Sequence, residues 1–353
     1  MMLGTKKGVF VMESSDGRRT WKTSGPHFKG TAVYHVAFDP RDRTILATVD
    51  NPIKGPTVAK SGDLGRTWKE GKRPPRFPKG AEWSAKQVWR IEPGVEEEPG
   101  VVYCGVDPAA LFKSRDGGET WALVEGLYNH ETRPKWNPGA GGLCLHTIMV
   151  DPRDPETVLV AISAVGVLKT VDGGETWSFR NENLLADFHP VKYPEYGQCP
   201  HHLVRHPRRP DVIYQQNHCG QYRSDDNGET WKEMVGNLPS RFGFPVAVDY
   251  NDPKRVYVAP EVSGAERLPP DDRFLVWASD DEGRRWEALG EGLPKRSYYT
   301  VYREGMDTDE EDPSGVYVGT GTGQLLFSRS AGDRWTVLAD ALPPIYSVTA
   351  ATA

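Results

Sequence analysis

Cysteine is scarce in this chain, and its placement does not suggest a disulfide framework. The 353 residues include only Cys104, Cys144, Cys199 and Cys219, and no two of them have the CxxC spacing of a metal or redox motif. Small secreted domains that depend on disulfides carry them at much higher density. The sequence therefore predicts free thiols in a reducing compartment, and the chain is long enough to bury a large core without covalent staples.

Long hydrophobic runs and blocks of like charge are also missing. The N-terminal stretch has no apolar segment of signal-peptide length, and no run elsewhere is long enough to cross a bilayer. The 43 Lys and Arg and the 49 Asp and Glu are interspersed, with a formal net charge of −6. These features argue against a nucleic-acid or membrane partner, and they predict a soluble cytoplasmic protein.

One eight-residue phrase, by contrast, is abundant and occurs seven times. Its consensus is Ser/Thr-x-Asp-x-Gly-x-Thr-Trp, and successive Trp residues are about 47 to 56 positions apart. A repeat at this spacing through the whole chain indicates one closed body rather than two unrelated domains. The copies are Ser14–Trp21, Ser61–Trp68, Ser114–Trp121, Thr170–Trp177, Ser224–Trp231, Ser279–Trp286 and Ser328–Trp335.

Each repeat carries the same succession of short β-strand signals separated by Pro, Asp and Gly turns. Four strands per repeat, repeated seven times, predict an all-β fold. The specific prediction is a single domain, residues 1–353, forming a seven-bladed β-propeller of four-stranded antiparallel blades. The expected ranges of blades 1 to 7 are 2–24 with 345–353, 31–72, 84–125, 143–181, 200–235, 243–290 and 297–340.

The two ends of the chain indicate how the ring closes. The sequence opens directly in a second-strand pattern, so the first blade lacks an innermost strand of its own. The stretch Ile345–Thr349 resembles the innermost-strand pattern Val33–Ala37. We therefore predict that residues 345–353 pair with residues 2–24 and close the ring, which leaves few unpaired strand edges.

The repeated phrase has a structural explanation at each fixed position. Its Asp and Ser/Thr side chains can hydrogen-bond their own turn, and its Gly supplies a left-handed conformation between strands three and four. Its Trp can pack between neighbouring blades. A catalytic role for the Asp residues is disfavoured, because seven copies around a ring cannot all face one substrate.

The phrase resembles the Asp-box, or BNR repeat, of sialidase-like propellers, and the chain is similar to the bacterial cytoplasmic BNR glycosyl hydrolase-like type. Four copies carry every fixed position, whereas Arg18 stands for Gly, Arg285 for Thr, and Ser330 and Arg334 for Asp and Thr in the others. In the family, these turns lie opposite the ligand site. We call the face with the Asp-box turns the bottom and the other face the top, where the resemblance implies that a ligand would bind.

Sialidase activity itself is the weaker expectation. Sialidases hold a carboxylated sugar with three arginines, and Val88–Pro93 is similar to the Arg-Ile-Pro signature that carries the first of them. Here a Glu is inserted before the Pro, so the signature is broken. Arg90 of this stretch is kept as a candidate catalytic residue, and Arg205 and Arg303 are expected on other innermost strands without a clear role.

Histidines are concentrated near the predicted top of the central channel. His146, His201 and His202 fall at the start of innermost strands, and His218 follows the second strand of the blade that holds His201 and His202. Neutral imidazoles bind divalent metals, and histidine can act as acid or base near neutral pH. A divalent metal held by these four residues is one hypothesis. The alternative is that each hydrogen-bonds a channel water or a backbone carbonyl.

Carboxylates and aromatic rings are predicted at the same face. Asp50, Asp107 and Glu261 each follow a second strand. Two carboxylates facing across the mouth can act as acid and base in glycoside hydrolysis, whereas turn capping is the alternative. Ring contacts with a ligand, or else packing between blades, are expected from His35, Trp89, Trp136 and Tyr299.

Two functions remain open from the sequence. The first is binding of a small polar, carbohydrate-like ligand at the top of the central channel, with glycoside hydrolysis and a His-bound divalent metal as further hypotheses. The second is a non-catalytic scaffold that contacts another protein. An enzyme would gather its titratable groups in one partly dry pocket, whereas a scaffold would present a broad mixed surface.

Overall fold

The structure is a computed structural model that describes residues 1–352 and consists of seven four-stranded antiparallel sheets in a ring. The strands are β1 (Met2–Thr5), β2 (Gly8–Glu13), β3 (Lys22–His27), β4 (Val36–Asp39), β5 (Thr44–Asn51), β6 (Gly55–Ser61), β7 (Lys69–Glu70), β8 (Gln87–Pro93), β9 (Val102–Asp107), β10 (Ala110–Ser114), β11 (Ala122–Leu123), β12 (Leu145–Asp151), β13 (Asp154–Ile162), β14 (Gly166–Thr170), β15 (Ser178–Phe179), β16 (Pro200–His206), β17 (Arg209–Asn217), β18 (Gly220–Ser224), β19 (Lys232–Glu233), β20 (Gly243–Val248), β21 (Val256–Pro260), β22 (Val276–Ser279), β23 (Glu287–Leu289), β24 (Met306–Thr308), β25 (Val316–Gly319), β26 (Leu325–Ser328), β27 (Trp335–Ala339) and β28 (Ile345–Thr349). Blades 2 to 7 are β4–β7, β8–β11, β12–β15, β16–β19, β20–β23 and β24–β27, and blade 1 is β28-β1-β2-β3. The predicted all-β, seven-bladed fold is confirmed.

The hydrophobic core is divided among the seven spaces between neighbouring blades. In one space, Tyr103 and Leu111 of blade 3 pack against Leu145 and Val160 of blade 4. The inner three strands of each blade supply most of these residues, whereas the outer strand is only two residues long in blades 2 to 5. One large Trp follows each Asp-box turn, and each of these seven side chains belongs to, or packs against, a different one of the seven cores.

The ring closes as predicted, through the last strand of the chain. Strand β28 pairs antiparallel with β1, with Met2 opposite Thr349 and Leu3 opposite Val348. Gly4 lies between β28 and the connector before β4, where a Cβ atom would come within 2.5 Å of Ser347 Oγ and 2.8 Å of the Val33 carbonyl oxygen. Only glycine fits this junction. Ala353, the end of the predicted closing segment, lies outside the described residues.

In the part of the chain that the structure describes, helical structure is confined to the connector between blades 3 and 4, which holds a four-residue helix, α1 (Glu125–Tyr128), and a 3₁₀ turn at Arg133–Lys135. In the loop between β21 and β22, Pro270–Asp272 forms a short turn in which Asp271 has a left-handed φ of 56°. Within residues 1–352, no helix has the length and apolar character needed to span a bilayer.

The Asp-box turns are self-contained hydrogen-bonded units between the third and fourth strands. In the copy between β6 and β7, Ser61 Oγ donates to Asp63 at 2.7 Å and accepts from the Gly65 N–H at 2.8 Å. The Asp63 carboxylate accepts from the N–H and the hydroxyl of Thr67 at 2.8 and 2.6 Å, and Trp68 Nε1 donates to the Gly65 carbonyl. These contacts use the polar groups of the phrase within the turn itself, in keeping with a structural role.

The first Asp-box departs from the consensus for a visible reason. Arg18, which replaces the glycine, has a left-handed φ of 62°. Its guanidinium makes two hydrogen bonds to Asp309 at 2.9 and 3.0 Å, and it also donates to the carbonyl of Pro313. Because Asp309 belongs to blade 7, this arginine joins blade 7 to blade 1 beside the closing strand.

Blade 7 differs from the sequence expectation in one respect. Arg303 was expected on an innermost strand, but β24 begins only at Met306, and Arg303 lies in the turn before it. The Gly305 N–H donates to the Tyr302 carbonyl, which bends the chain at this point. The bend frees the Arg303 side chain from the strand register.

Candidate functional site at the top of the channel

An aromatic or imidazole ring recurs at an equivalent position near the top of each blade, within the innermost strand or, in blades 2 and 7, in the segment just before it. In β8, β12, β16 and β28, a register shift leaves this residue unpaired as a bulge. A bulge re-aims the side chain of the extra residue, and bulges are common beside binding sites. From blade 1 to blade 7 these mouth residues are Tyr346, Tyr34, Trp89, His146, His201, Phe244 and Tyr302.

Four consecutive mouth residues form a continuous aromatic strip across blades 7, 1, 2 and 3. The ring centroid of Tyr302 lies 5.4 Å from that of Tyr346, which stacks on Tyr34 at 4.9 Å. The Tyr34 centroid lies 4.8 Å from that of Trp89. None of the four side chains is fully buried, and Tyr302 is 41% exposed. The strip is therefore an accessible apolar surface.

Polar groups border the aromatic strip. Gln87 Nε2 donates to the Tyr34 hydroxyl. Burial, with Tyr346 and Asp50 nearby, raises the pKa of Tyr34 to about 12. The phenol therefore keeps its proton at neutral pH and remains a hydrogen-bond donor.

The other three mouth residues, His146, His201 and Phe244, are buried. Arg303 lies over them: Nη2 donates to Ser163 Oγ at 3.2 Å, and its guanidinium is 5.4 Å from the centre of the Phe244 ring. Since Ser163 belongs to blade 4 and Arg303 to blade 7, this side chain crosses the mouth. The top thus has an open side at the aromatic strip and a closed side under Arg303.

Below the mouth, an ion-pair cluster spans the channel. Arg90 of blade 3 donates to Glu304 Oε2 at 2.5 Å and to Glu92 Oε2 at 2.7 Å. Glu304 lies just before β24 in blade 7. The other oxygen of Glu304 lies 3.4 Å from His202 Nδ1 of blade 5. We call Arg90, Glu92, His202 and Glu304 the channel cluster. It lines a cavity of about 270 Å³ together with apolar residues of the innermost strands, and it links three blades.

The electrostatics of the channel cluster favour a structural role. Burial acts to raise the pKa of Glu304, but His202 and Arg90 outweigh it and hold that pKa well below its ordinary value. Glu304 is therefore an anion that cannot donate a proton near neutral pH. Burial lowers the pKa of nearby His35 to about 3, so its ring is neutral, and its Nδ1 lies 3.5 Å from the Ile91 N–H.

The four histidines suggested as metal ligands do not meet at one point. His146 is hydrogen-bonded through both ring nitrogens, to the Pro200 carbonyl at 3.1 Å and to Thr147 Oγ1 at 3.0 Å. His202 faces Glu304 in the channel cluster instead. The alternative of a hydrogen bond to a backbone carbonyl therefore describes His146, whereas His202 faces a carboxylate.

His201 and His218 do come together, and a cysteine joins them. Their ring centroids are 5.4 Å apart, and the ligand atoms of Cys199, His201 and His218 all lie within 4.8 Å of one another. Burial lowers the pKa of both imidazoles, so both rings are neutral at physiological pH. The sequence does not indicate Cys199 as a ligand, because Cys199 and His218 are separated along the chain and meet only through the pairing of β16 with β17.

The three candidate carboxylates lie at the top ends of second strands but in different surroundings. Asp50 is half-buried beside Tyr34, and burial raises its pKa. Asp107 is covered by a connector, because a Cβ on Gly142 (φ +96°) would come within 2.6 Å of its Oδ2. Burial raises its pKa against the opposing charge of Lys86. Asp50 and Asp107 belong to adjacent blades on the side of the aromatic strip, whereas Glu261 belongs to blade 6.

Glu261 is the most strongly perturbed of the three. It is 3% exposed, and Oε2 has no hydrogen-bond partner within residues 1–352. Burial raises its pKa to about 7, even though Arg267 and the Val301 backbone act in the opposite direction. A carboxyl group that holds a proton near neutral pH can serve as a general acid.

Replacing Glu261 with Gln should stabilise the protein at high pH and not at low pH. The folded-state pKa of about 7 lies above the ordinary value of 4.5, so the charged form penalises folding above pH 7, and the penalty disappears as the pH falls towards 4.5. We expect Glu261→Gln to raise the free energy of unfolding by on the order of 2–3 kcal/mol at pH 8 and by little at pH 4.5.

Urea unfolding at the two pH values measures this effect. Glu266→Gln is the matched control, because Glu266 is exposed in the same loop. A difference between the wild type and Glu261→Gln that is the same at pH 4.5 and pH 8 would contradict the burial of an uncompensated carboxyl group.

Of the four residues predicted to contact a ligand through their rings, one lies in the aromatic strip and three are buried or half-buried elsewhere. Trp89 lies in the aromatic strip, and His35 is buried in the channel wall. Trp136 is buried inside the connector between blades 3 and 4, where its indole N–H donates to Thr132 Oγ1 at 2.9 Å. Tyr299 is half-buried, with its ring centroid 5.9 Å from that of Phe274. Packing accounts for Trp136 and Tyr299 as they stand.

Several residues of the site were missed from the sequence. Tyr34, Tyr302 and Tyr346 were not proposed as ligand contacts, although a ring recurs at the second position of Val33-Tyr34-His35-Val36 and its six counterparts. An alignment of all seven innermost strands would have revealed this recurrence. The positions of Glu304 and of the Arg303 side chain have no such repeated pattern in the sequence, because both residues lie in a turn that occurs only in blade 7.

Comparisons with known proteins agree with the fold. The family model for the BNR/Asp-box repeat matches residues 222–233. The chain is 23% identical over 219 residues to an oligoxyloglucan-reducing end-specific xyloglucanase of Emericella nidulans, covering 54% of this chain and 26% of that protein. This chain therefore spans about a quarter of that relative's length.

Two solved structures extend the likeness to most of the chain. A GH74 enzyme of Niastella koreensis superposes with a TM-score of 0.57 and 17% identity, covering 88% of this chain and 46% of that one. A YCF48 protein bound to a D1 peptide superposes with a TM-score of 0.54 and 14% identity, covering 88% of this chain and 83% of that one. At these identities the likeness establishes the fold alone. With seven copies of the Asp-box phrase on seven four-stranded blades, the chain is a β-propeller built from BNR/Asp-box repeats.

Proposed function

We propose that the top face binds a carbohydrate chain along the aromatic strip. The observation that carries this proposal is the run of four accessible rings, Tyr302, Tyr346, Tyr34 and Trp89, in contact at one side of the mouth. The C–H faces of sugar rings are apolar, whereas their edges carry hydroxyl groups. Aromatic side chains with polar tips suit such a ligand, because they offer an apolar face and a hydrogen-bonding group together.

Polar side chains near the aromatic strip support the same ligand class. Gln87 and Asp50 lie beside Tyr34, and the tyrosine hydroxyls add donors and acceptors at the edge of the surface. The likenesses to a xyloglucanase and to a GH74 enzyme agree with a glycan ligand. The four rings extend over four adjacent blades, so the aromatic strip suits an oligosaccharide better than a monosaccharide.

The finer proposal is hydrolysis of that glycan by Asp50 and Asp107. One protonated carboxyl would donate its proton to the glycosidic oxygen as the C–O bond breaks, and one carboxylate would take a proton from the attacking water. Burial raises the pKa of both residues, which favours the protonated form required of the acid. Replacing either with Asn should abolish hydrolysis and leave glycan binding nearly unchanged.

Replacing Trp89 with Ala should weaken glycan binding by about tenfold, because an aromatic contact is worth roughly 1.4 kcal/mol. A titration with xyloglucan oligosaccharides, followed by calorimetry, measures this change. Trp83→Ala is the matched control, since Trp83 is 40% exposed in the connector before blade 3 and is not a mouth residue. Equal affinities for the wild type and Trp89→Ala would overturn the proposal.

A second candidate function is recognition of a protein segment by the same aromatic strip. The YCF48 protein that superposes on this chain over 83% of its own length is bound to a D1 peptide. Exposed tyrosines and a tryptophan also suit a peptide partner. If xyloglucan and cello-oligosaccharides fail to bind while Trp89→Ala disrupts capture of a protein partner, this second function replaces the first.

A further inference from the structure

We propose that Cys199, His201 and His218 form a binding site for a divalent transition metal such as Zn²⁺, on the closed side of the mouth and separate from the aromatic strip. The three ligand atoms lie within 4.8 Å of one another. Metal bonds of about 2.0–2.3 Å require ligand atoms roughly 3.5 Å apart in a tetrahedron. The three atoms would have to approach one another by at most about 1.3 Å to reach that geometry.

The backbone brings the three residues together at the top of blade 5. The His218 N–H donates to the Cys199 carbonyl at 3.0 Å, so these two residues face each other across the hairpin of β16 and β17. His201 is the bulged residue of β16. Without the bulge, alternation along the strand would direct its side chain differently. The hairpin pairing and the bulge together fix the three positions.

Neighbouring groups orient the ligands as metal sites require. His201 Nδ1 lies 2.6 Å from the Gly243 carbonyl oxygen, so Nδ1 carries the proton and Nε2 is left with a free lone pair. Metal-binding histidines commonly donate their second ring N–H to a carbonyl or carboxylate. The His201 ring also stacks on Phe244 at a centroid distance of 4.5 Å, which restricts its rotation.

The site has an apolar wall and a route to solvent. Phe242 packs edge-on against both imidazoles at 5.2 and 5.0 Å, and Phe188, which is half exposed, contacts His218 at 5.0 Å. Cys199 and His218 are themselves only partly buried. A metal ion can therefore enter from the top face, and apolar walls strengthen its interaction with the ligands.

The ligand types indicate which metals fit. One thiolate and two imidazoles suit borderline-soft ions such as Zn²⁺ and Co²⁺, whereas Mg²⁺ and Ca²⁺ prefer oxygen ligands. Three protein ligands leave a fourth tetrahedral position for water or another small molecule. Binding displaces the thiol proton of Cys199, so the affinity should rise with pH.

Titration of the metal-free full chain with Co²⁺ tests the site directly. We expect one equivalent to bind, with a thiolate-to-cobalt charge-transfer band in the near ultraviolet and the intense visible bands of four-coordinate cobalt. Cys199→Ser should abolish the charge-transfer band and weaken binding by more than about 100-fold, since even outer-shell changes cost 10–100-fold. His218→Ala should weaken binding while the band persists at saturating Co²⁺.

The controls distinguish this site from other thiols and imidazoles. Cys144→Ser removes a buried thiol that lies 3.3 Å from Ser163 Oγ, and His189→Ala removes an exposed imidazole that contacts Val191. Both should bind Co²⁺ like the wild type, and circular dichroism verifies that every variant is folded. The proposal is overturned if the wild type shows no saturable binding at micromolar Co²⁺, or if the charge-transfer band survives in folded Cys199→Ser.

Discussion

A chain that ends at residue 344 should fail to form a cooperatively folded monomer. The deletion removes β28, the innermost strand of blade 1, and exposes the edge of β1 along the channel. It also removes Ile345 and Val348, which are almost completely buried, from the space between blades 1 and 7. An open ring with an unpaired apolar edge strand is prone to aggregate.

Size-exclusion chromatography and thermal unfolding of the deletion variant measure this outcome. A chain that ends at residue 351 is the control, since it retains the whole of β28 and should behave like the wild type. A synthetic peptide of residues 344–352, added in excess, should restore a cooperative transition by adding the missing strand. A deletion variant that stays monomeric with an unchanged melting temperature would show that closure does not depend on β28.

Replacing Arg90 with Met should lower the free energy of unfolding by about 3 kcal/mol. The change leaves Glu304 and Glu92 in the channel without the guanidinium that contacts both of them. Removing one partner of a buried ion pair typically costs roughly 3–5 kcal/mol. We expect the lower end of that range because the Arg90 side chain is 19% exposed to the channel.

The exposed pair of Arg296 and Asp272 provides a matched control. Their side chains are 74% and 50% exposed, so Arg296→Met should cost no more than about 1 kcal/mol. Adding Glu304→Gln to Arg90→Met should recover part of the lost stability, because it removes the uncompensated charge. Denaturant unfolding of the wild type, the two single variants and the double variant measures the free energy of unfolding of each protein. Equal losses in Arg90→Met and Arg296→Met would contradict a stabilising role of the channel cluster.

The fold could be predicted from the sequence because its information is local and repeated. Each Asp-box phrase forms its hydrogen bonds within eight residues, as Ser61, Asp63 and Thr67 show. The similarity between Ile345–Thr349 and Val33–Ala37 then identified the closing strand. Repetition reinforces such weak local signals, and this is why strand count and ring closure were accessible without coordinates.

The site could be predicted only in part because its contacts are distant in sequence. The residues of the Arg90–Glu304 pair are separated by 214 positions, and those of the Arg303–Ser163 contact by 140. Single residues such as Trp89 and His201 could be placed at the top of the channel from their position in a strand. Which of them meet depends on bulges and on the bend before β24, and neither leaves a local pattern in the sequence.

The proposed metal ligands could also be predicted only in part, even though three of them belong to one blade. Two of the four suggested histidines, His201 and His218, do lie together, whereas His146 and His202 are held by other partners. His201 is the bulged residue of β16, whereas His202 pairs with β17, so the two side chains face different surroundings. Cys199 completes the cluster across a hairpin whose pairing register could not be read from residue types.

Hydrogen exchange of the full chain with and without a xyloglucan oligosaccharide tests the central claim, that ligand binding takes place at the aromatic strip of the top face. We predict slower exchange in peptides covering residues 31–37, 86–91, 299–305 and 344–348, which carry Tyr34, Trp89, Tyr302 and Tyr346. Peptides covering the Asp-box turns at the bottom should not change. Protection confined to the Asp-box turns, or to the outer strands, would contradict the claim.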